Sequence, residues 1–126
     1  MHSVITILVV DDEDGIRAIL SSELTAAGYC VEQASDGDEA IARLELKAYD
    51  LVLLDNKMVR VSGMEVLKFI RTNCPGVKSI MITAFADLKC AVEAKKLGAE
   101  DFISKPYELE ELLSCVKNVL GEEIHN

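Results

Sequence analysis

Acidic side chains stand directly after two of the most apolar runs in the sequence. Asp11 and Asp12 follow the run over residues 5–10, and Asp55 follows the run over residues 51–54. Three carboxylates held close together raise one another's proton affinity unless a cation joins them. Oxygen ligands without His or Cys select a hard divalent ion, and Mg2+ takes one or two carboxylates while keeping several waters. These residues predict a Mg2+ site with coordination positions open to phosphate oxygens.

A hydroxyl and a cation stand at the ends of two further apolar runs. Thr83 ends the run over residues 79–83, and Lys105 follows the run over residues 101–104. An ammonium charge and a hydroxyl donor beside a metal ion are the groups that stabilise a transferring phosphoryl group. A carboxylate in such a pocket can act as a nucleophile and form an acyl phosphate. Asp55, at the tip of a buried central strand, is the natural candidate.

Each of these residues, taken singly, also has an ordinary structural explanation. Asp11, Asp12 and Asp14 would cap a helix and complement its dipole. Asp55 alone could be a turn residue at the end of a strand. Thr83 alone is more typical of a strand than of a ligand, and Lys105 alone is typical of a solvated surface. Separate structural roles do not explain why three acids, a hydroxyl and a cation occur together at the strand ends of one sheet. Their joint occurrence therefore favours a site for a phosphoryl group.

The elements that must position these groups alternate between short apolar runs and segments of helical periodicity. This alternation is typical of stacked βαβ units with a parallel sheet, and predicts a doubly wound α/β fold. In an open sheet of this kind, ligands bind beyond the carboxyl ends of the strands, which is where the acids, the hydroxyl and the lysine lie. The predicted strands cover residues 5–10, 30–34, 51–54, 79–83 and 101–104, and the predicted helices cover 14–27, 37–47, 64–73, 87–97 and 108–120.

Local signals support several helix boundaries. Gly28 and Gly98 follow helical stretches as C′ residues. Ser62, with Glu65 three residues later, forms a capping box, and Asp36 is expected to cap the second helix. The third helix is therefore predicted to begin just after the loop that leaves the third strand.

Composition excludes several classes of function. The chain has 126 residues, half of them hydrophobic, which predicts one globular domain. Its net charge of -9 argues against direct binding of nucleic acid. A signal peptide and a membrane span are not predicted, so a cytoplasmic location is expected. Four scattered cysteines without a C-x-x-C pair are expected to be small buried hydrophobes rather than zinc ligands or disulfides: Cys30, Cys74, Cys90 and Cys115.

Several motifs together resemble one family. In chain order they read ILVVDDE, DLVLLDNKM, SGMEVL, MITAFAD, LGAEDFISKP and ELLSCVK, and they are similar to the CheY-like receiver domain of bacterial two-component response regulators. The resemblance runs from about residue 4 to residue 120, so residues 1–126 are expected to be a single receiver domain. It implies a (βα)5 flavodoxin-like fold, with a five-stranded parallel sheet in order 2-1-3-4-5 and helices on both faces.

The resemblance also implies a function for the acidic residues. Asp55 would be the phosphoacceptor, taking a phosphoryl group from a phosphohistidine on a histidine kinase or histidine phosphotransfer protein. Asp12, Asp55 and the backbone carbonyl of Lys57 would hold Mg2+, with Asp11 acting largely through water. Such a protein catalyses its own phosphorylation and autodephosphorylation, and is not a turnover enzyme on an external substrate.

The remaining implied roles concern signalling. Thr83 and Lys105 would bind the phosphoryl oxygens, and Thr83 with Phe102 would form the switch. The switch repacks the face made by the fourth helix, fifth strand and fifth helix, where an effector domain or a second copy of the chain would bind. The family further implies a cis peptide bond before Pro106.

The loop after the phosphoacceptor departs from the family pattern. Relatives usually continue with a Lys-Met-Pro-Gly type loop, whereas Val59 and Arg60 stand at the Pro and Gly places here. Without proline, residue 59 has no ring to restrict φ, which predicts altered loop geometry. Lys57 and Phe85 occupy the two positions that tune the lifetime of the phosphoryl group in the family.

Three other functions fit parts of the pattern. A flavodoxin-like flavin-binding module shares the strand pattern, but the DDEDG segment after the first strand would repel a phosphate that lacked a metal. A phosphatase of the haloacid dehalogenase type needs a second Asp two residues after its nucleophile, where this chain has Lys57. A pseudo-receiver that serves only as a protein-interaction module keeps the fold without phosphorylation, and the intact acids, Thr83 and Lys105 argue against it.

Overall fold

The fold is a five-stranded parallel sheet between two layers of helices. The computed structural model describes residues 4–55, 58, 61–84 and 88–122. All neighbouring strands pair in parallel, in the order β2-β1-β3-β4-β5, which confirms the predicted fold and strand order. Within the described residues the elements are β1 (Thr6–Val10), α1 (Asp14–Ala26), β2 (Cys30–Ala34), α2 (Gly37–Leu46), β3 (Leu51–Asp55), α3 (Gly63–Asn73), β4 (Lys78–Thr83), α4 (Leu88–Lys96), β5 (Asp101–Ser104) and α5 (Leu109–Leu120).

The predicted boundaries agree with the structure to within one residue. The most informative difference is at β3, which continues through Asp55, paired with Ile82 of β4. Helix caps account for much of the agreement, since Asp36 and Ser62 each accept the backbone N–H three residues on, at 2.8 and 3.2 Å. Gly28 and Gly98 have φ values of 104° and 101°, the left-handed conformation that ends a helix.

The core consists of two apolar clusters separated by the sheet. Because helices cover both faces, side chains from both sides of the central strands are buried, and these strands read as continuous apolar runs. The cluster on the α2, α3 and α4 side includes Leu8, Val10, Leu54, Leu67 and Met81, and the cluster on the α1 and α5 side includes Ile7, Val9, Leu53, Ile82 and Leu112. In the described part of the chain, no helix is long and apolar enough to cross a bilayer.

The central strand is expected to carry much of the stability. Leu53 in β3 is 1% exposed within the α1 and α5 cluster. Replacing it with alanine removes buried methyl groups and leaves a cavity, so Leu53→Ala is expected to lower the free energy of unfolding by about 2–5 kcal/mol. Urea denaturation followed by circular dichroism measures the change. Leu46→Ala, at a position 87% exposed, is the control and should change it by less than about 0.5 kcal/mol; equal losses would contradict this account of the core.

Strand β2 lies at one edge of the sheet and is held by a polar network. The carboxylate of Glu32 accepts hydrogen bonds from Lys47 and from the Tyr49 hydroxyl, the latter at 2.6 Å, and Arg43 lies 3.4 Å away. The hydrogen bond from Lys47, then that from Tyr49, lowers the pKa of Glu32. Burial, reinforced by Glu32, raises the pKa of Tyr49 to about 12. The network joins β2 to the end of α2 and the start of β3.

The cysteines differ in exposure more than the sequence predicts. Cys30 is exposed on β2, Cys74 and Cys90 are partly buried, and only Cys115 is buried. The expectation of burial is therefore wrong for Cys30, because an edge strand leaves part of its side chains in water. Burial and a 3.1 Å contact with Asp101 raise the pKa of Cys115 to about 12, so this thiol is unreactive at neutral pH.

Candidate functional site

Three carboxylates meet at the carboxyl edge of the sheet. Asp11 and Asp12 follow β1, Asp55 ends β3, and these strands are neighbours. One oxygen from each carboxylate lies within 4.8 Å of the others. Asp11 is 3% exposed and Asp55 is 7% exposed, so their charges are poorly screened by water. Among the described residues, this is the only group of three or more His, Cys, Asp or Glu placed to hold a metal ion.

The chemistry and spacing of these oxygens fit a small divalent cation. Mg2+ binds oxygen at about 2.1 Å in octahedral geometry, so ligands on opposite sides of one ion lie about 4.2 Å apart. A separation within 4.8 Å is close to that limit, and one carboxylate acting through a water would satisfy it without movement. Three carboxylates held close together also repel one another, and a divalent cation bound among them would relieve that repulsion.

Thr83 ends β4 and Lys105 directly follows β5, the two strands on the other side of β3. The Lys105 ammonium lies 3.5 Å from Oδ2 of Asp11, and its side chain is 19% exposed. The backbone N–H of Lys105 donates to the carbonyl of Thr83 at 2.8 Å, and Thr83, the last residue of β4, is 1% exposed. The Lys105–Pro106 peptide bond is cis, as the resemblance implies. The structure thus brings a cation to the acids that the sequence placed at the same edge.

The contacts at the start of α1 show whether the acidic residues there cap the helix or belong to the carboxylate site. Glu13 is the N-cap of α1, and its side chain makes no capping hydrogen bond. Asp11 accepts the backbone N–H of Glu13 at 2.9 Å, which orders the loop rather than the helix. Asp14 lies in the first turn and pairs with Arg17 at 2.7 Å. Asp11 therefore stabilises the loop that carries Asp12 while its second oxygen faces Lys105.

Arg17 supports the acidic loop, and sequence reasoning did not identify it. Its guanidinium donates to the backbone carbonyl of Asp11 at 2.7 Å, to Asp14 at 2.7 Å and to Gln33 of β2 at 3.1 Å. One side chain thus joins the residue that follows β1 to α1 and to β2. The only sequence signal was the three-residue spacing from Asp14, which is common on helix surfaces.

Tyr107 is a second residue that sequence reasoning did not identify. It lines a small cavity together with Asp11, Asp55 and Lys105. Burial, followed by the negative charges of Glu23 and Asp11, raises the pKa of Tyr107. The phenol therefore remains neutral at physiological pH and bounds the site without adding charge.

Phe102 lies in the middle of β5, where it pairs with Met81 of β4. Its side chain is half-buried and packs against the cluster on the α2, α3 and α4 side. Its predicted switching role stays a prediction. Four residues named in the sequence analysis lie outside the described residues: Lys57, Val59, Arg60 and Phe85.

Comparison with known families agrees with this geometry. The family model described as the response regulator receiver domain matches residues 7–117. The chain belongs to the response regulator receiver family. Receiver domains act in two-component signalling, where they interact with histidine kinases or phosphotransfer proteins. In this receiver domain, Asp11, Asp12 and Asp55 lie close together at the carboxyl edge of the sheet.

Individual relatives of the receiver domain differ in length. This chain is 36% identical to sporulation initiation phosphotransferase F of Bacillus subtilis, over 90% of this chain and 92% of the relative. It is 38% identical to the transcriptional regulatory protein ZraR of Salmonella typhimurium over 93% of this chain, but it spans only 26% of that protein's length. The structure of the response regulator TrrA from Thermotoga maritima, in complex with Mg(2+)-BeF, superposes with a TM-score of 0.85 at 35% identity, covering 92% of this chain and 99% of TrrA.

Proposed function

We propose that Asp55 accepts a phosphoryl group from a phosphohistidine on a partner histidine kinase or histidine phosphotransfer protein. The observation that carries the proposal is the group of three carboxylates with Lys105 at 3.5 Å, at the carboxyl edge of the sheet. We assign Asp55 as the nucleophile because it is the last residue of β3, where pairing with Ile82 of β4 fixes its main chain. We also infer that residues 1–126 form a single receiver domain.

The residues that would hold Mg2+ are Asp11, Asp12, Asp55 and the backbone carbonyl of Lys57. The acid group within 4.8 Å supports this assignment, as does the Mg(2+)-BeF complex of TrrA. When bound, Mg2+ would neutralise charge on the carboxylates and on the incoming phosphoryl oxygens. The protein's own part is to hold the acids at this edge, which the loop bonds of Arg17 and Asp11 accomplish.

The transfer itself is a substitution at phosphorus. An oxygen of the Asp55 carboxylate attacks the phosphorus, the bond between phosphorus and the imidazole nitrogen breaks, and its electron pair returns to that nitrogen. The Lys105 ammonium exchanges its contact with Asp11 for a phosphoryl oxygen, and the Thr83 hydroxyl donates to another. The product is an acyl phosphate on a buried strand end.

The output of phosphorylation is proposed to pass through Thr83 and Phe102 to the surface of α4, β5 and α5. On α4, Leu88 is 79% exposed and Val92 is 44% exposed. They line a groove of about 670 Å³ with charged neighbours. An effector domain or a second copy of the chain would bind this face.

Incubation with acetyl phosphate and Mg2+, followed by intact mass measurement, tests the proposed function. The wild-type chain is expected to gain the mass of one phosphoryl group, and to gain none when EDTA removes the metal. No gain under either condition would favour the pseudo-receiver that acts only as a protein-interaction module.

The partner is expected to dock in a groove beside the site. Ile16, Ile19 and Leu109 line a groove of about 330 Å³ that also includes Lys105, and Lys105 lines the acid cavity as well. Ile19 is 63% exposed. A protein that covered this apolar surface would place its phosphohistidine next to Asp55.

Ile19→Glu is expected to slow phosphotransfer from a protein donor by about tenfold or more, because a charge would be buried at the centre of the interface. The rate with acetyl phosphate, which needs no docking surface, should not change. Transfer from the histidine kinase that phosphorylates the wild type fastest provides the measurement. Leu46→Glu places the same charge on an exposed leucine at the end of α2 and should leave both rates unaltered. Loss of both rates in Ile19→Glu would contradict the docking assignment.

A further inference from the structure

The first residue of α2 makes a very close approach to the loop that follows Asp55. Gly37 is buried, and Val61 lies in the segment that joins β3 to α3. A Cβ atom on Gly37 would stand 2.5 Å from the backbone oxygen of Val61 and 2.7 Å from its Cβ and Cγ1. Cβ atoms essentially never approach non-bonded heavy atoms within 3.0 Å. A side chain at residue 37 would therefore force the loop or the helix to move.

The helix itself gives no reason for a glycine at this position. Gly37 is not among the glycines with positive φ, and the cap of α2 comes from Asp36. Alanine is more favourable than glycine in a helix. Gly15, in the first turn of α1, provides a contrast, because a Cβ there would meet nothing within 4 Å. The close contact with Val61 is therefore the feature that requires the missing side chain.

We propose that Gly37 is a positioning residue for phosphorylation of Asp55. Without a side chain at residue 37, the backbone of the first turn of α2 packs directly against Val61 and restricts where the loop can lie. The inference rests on the proposed function. Asp55 is held by β3 at one end of this segment, and Ser62 caps α3 at the other. The contact between Gly37 and Val61 fixes the segment at a third point.

The segment between Asp55 and Val61 contains no proline. Residue 59 is valine, which has no ring that fixes φ as proline has. Phosphoryl transfer depends almost entirely on positioning and electrostatics, and a misplacement of about 1 Å can cost about 10²-fold in rate.

Gly37→Ala is the direct test. The rate of phosphorylation by acetyl phosphate at saturating Mg2+ is expected to fall by about tenfold or more, because the acceptor loop is displaced. The Mg2+ dissociation constant, measured by titration calorimetry without any phosphoryl donor, is expected to rise by about tenfold, as for loss of a group that orients metal ligands. Gly15→Ala is the matched control and should leave both quantities at the wild-type values.

Two further variants separate positioning from general loss of stability. Val116→Ala lowers stability from the opposite core cluster, where Val116 is fully buried, and should leave both quantities unchanged for the folded protein. Val61→Gly removes the side chain that packs against Gly37 and creates no clash. It should change the phosphorylation rate and the Mg2+ dissociation constant in the same direction as Gly37→Ala.

The inference is overturned if Gly37→Ala keeps both quantities within about twofold of the wild type, or if Val116→Ala loses them equally. Failure of the proposed function is a different result. It would appear as absence of phosphorylation in the wild type itself, and the Mg2+ dissociation constants of Gly37→Ala and Gly15→Ala would then decide the inference.

Discussion

Asp55→Asn is expected to abolish uptake of a phosphoryl group from acetyl phosphate or from a phosphorylated partner. The amide has nearly the same shape as the carboxylate but lacks the negative oxygen that attacks phosphorus. Asp11 and Asp12 remain within reach of the pocket, yet only Asp55 ends a central strand. Intact mass measurement should therefore detect no phosphorylated species.

The same substitution should not damage the fold. Asp55 is 7% exposed and lies close to two other acids, so a neutral side chain relieves repulsion in the absence of metal. The midpoint of thermal unfolding without Mg2+ is thus expected to stay constant or rise. Asp50→Asn is the matched control, because Asp50 stands just before the same strand and accepts the backbone N–H of Thr6 at 2.8 Å, a bond that asparagine preserves. Phosphorylation of Asp55→Asn at the rate of Asp50→Asn would rule out Asp55 as acceptor.

Lys105→Met is expected to slow phosphorylation of Asp55 by about 10²–10³-fold, because it removes a positive charge aimed at the transferring group. Methionine keeps much of the aliphatic stem. The loss of the ammonium leaves Asp11 without its cation at 3.5 Å, so Mg2+ should bind as tightly as in the wild type or more tightly. Initial rates by intact mass and Mg2+ titration by calorimetry measure the two effects.

A lower phosphorylation rate without weaker Mg2+ binding makes the prediction specific. A collapsed site would lose both phosphorylation and Mg2+ affinity, whereas the proposed electrostatic role lowers only the rate. Lys68→Met, which removes an exposed lysine of α3, is the control and should alter neither. Weakened Mg2+ binding in Lys105→Met would therefore contradict the assignment of Lys105 to the phosphoryl group.

Sequence patterns predicted the elements of this fold because the determinants are local. The apolar run of β3, the cap at Asp36 and the glycine at residue 28 each act within a few residues of themselves. The convergence of Asp11 and Asp55 followed as well, since adjacent parallel strands end at one edge.

The features that the sequence did not predict depend on contacts between distant segments. Arg17 joins the end of β1 to Gln33 of β2, and no local pattern encodes such a set of partners. Gly37 has the sequence neighbours of an ordinary helix start, and only the approach of Val61 explains its missing side chain. The exposure of Cys30 likewise depends on which strand forms the edge of the sheet.

The polar network around Glu32 bears on how this protein behaves when it is concentrated. An edge strand presents unpaired backbone groups that can recruit a strand from another molecule, and inward-facing charges are one protection against such growth. On β2, Glu32 is surrounded by Lys47, Arg43 and Tyr49. A strand that was added beside β2 would strip water from these charges. These charges therefore disfavour the addition of a strand from another molecule at β2.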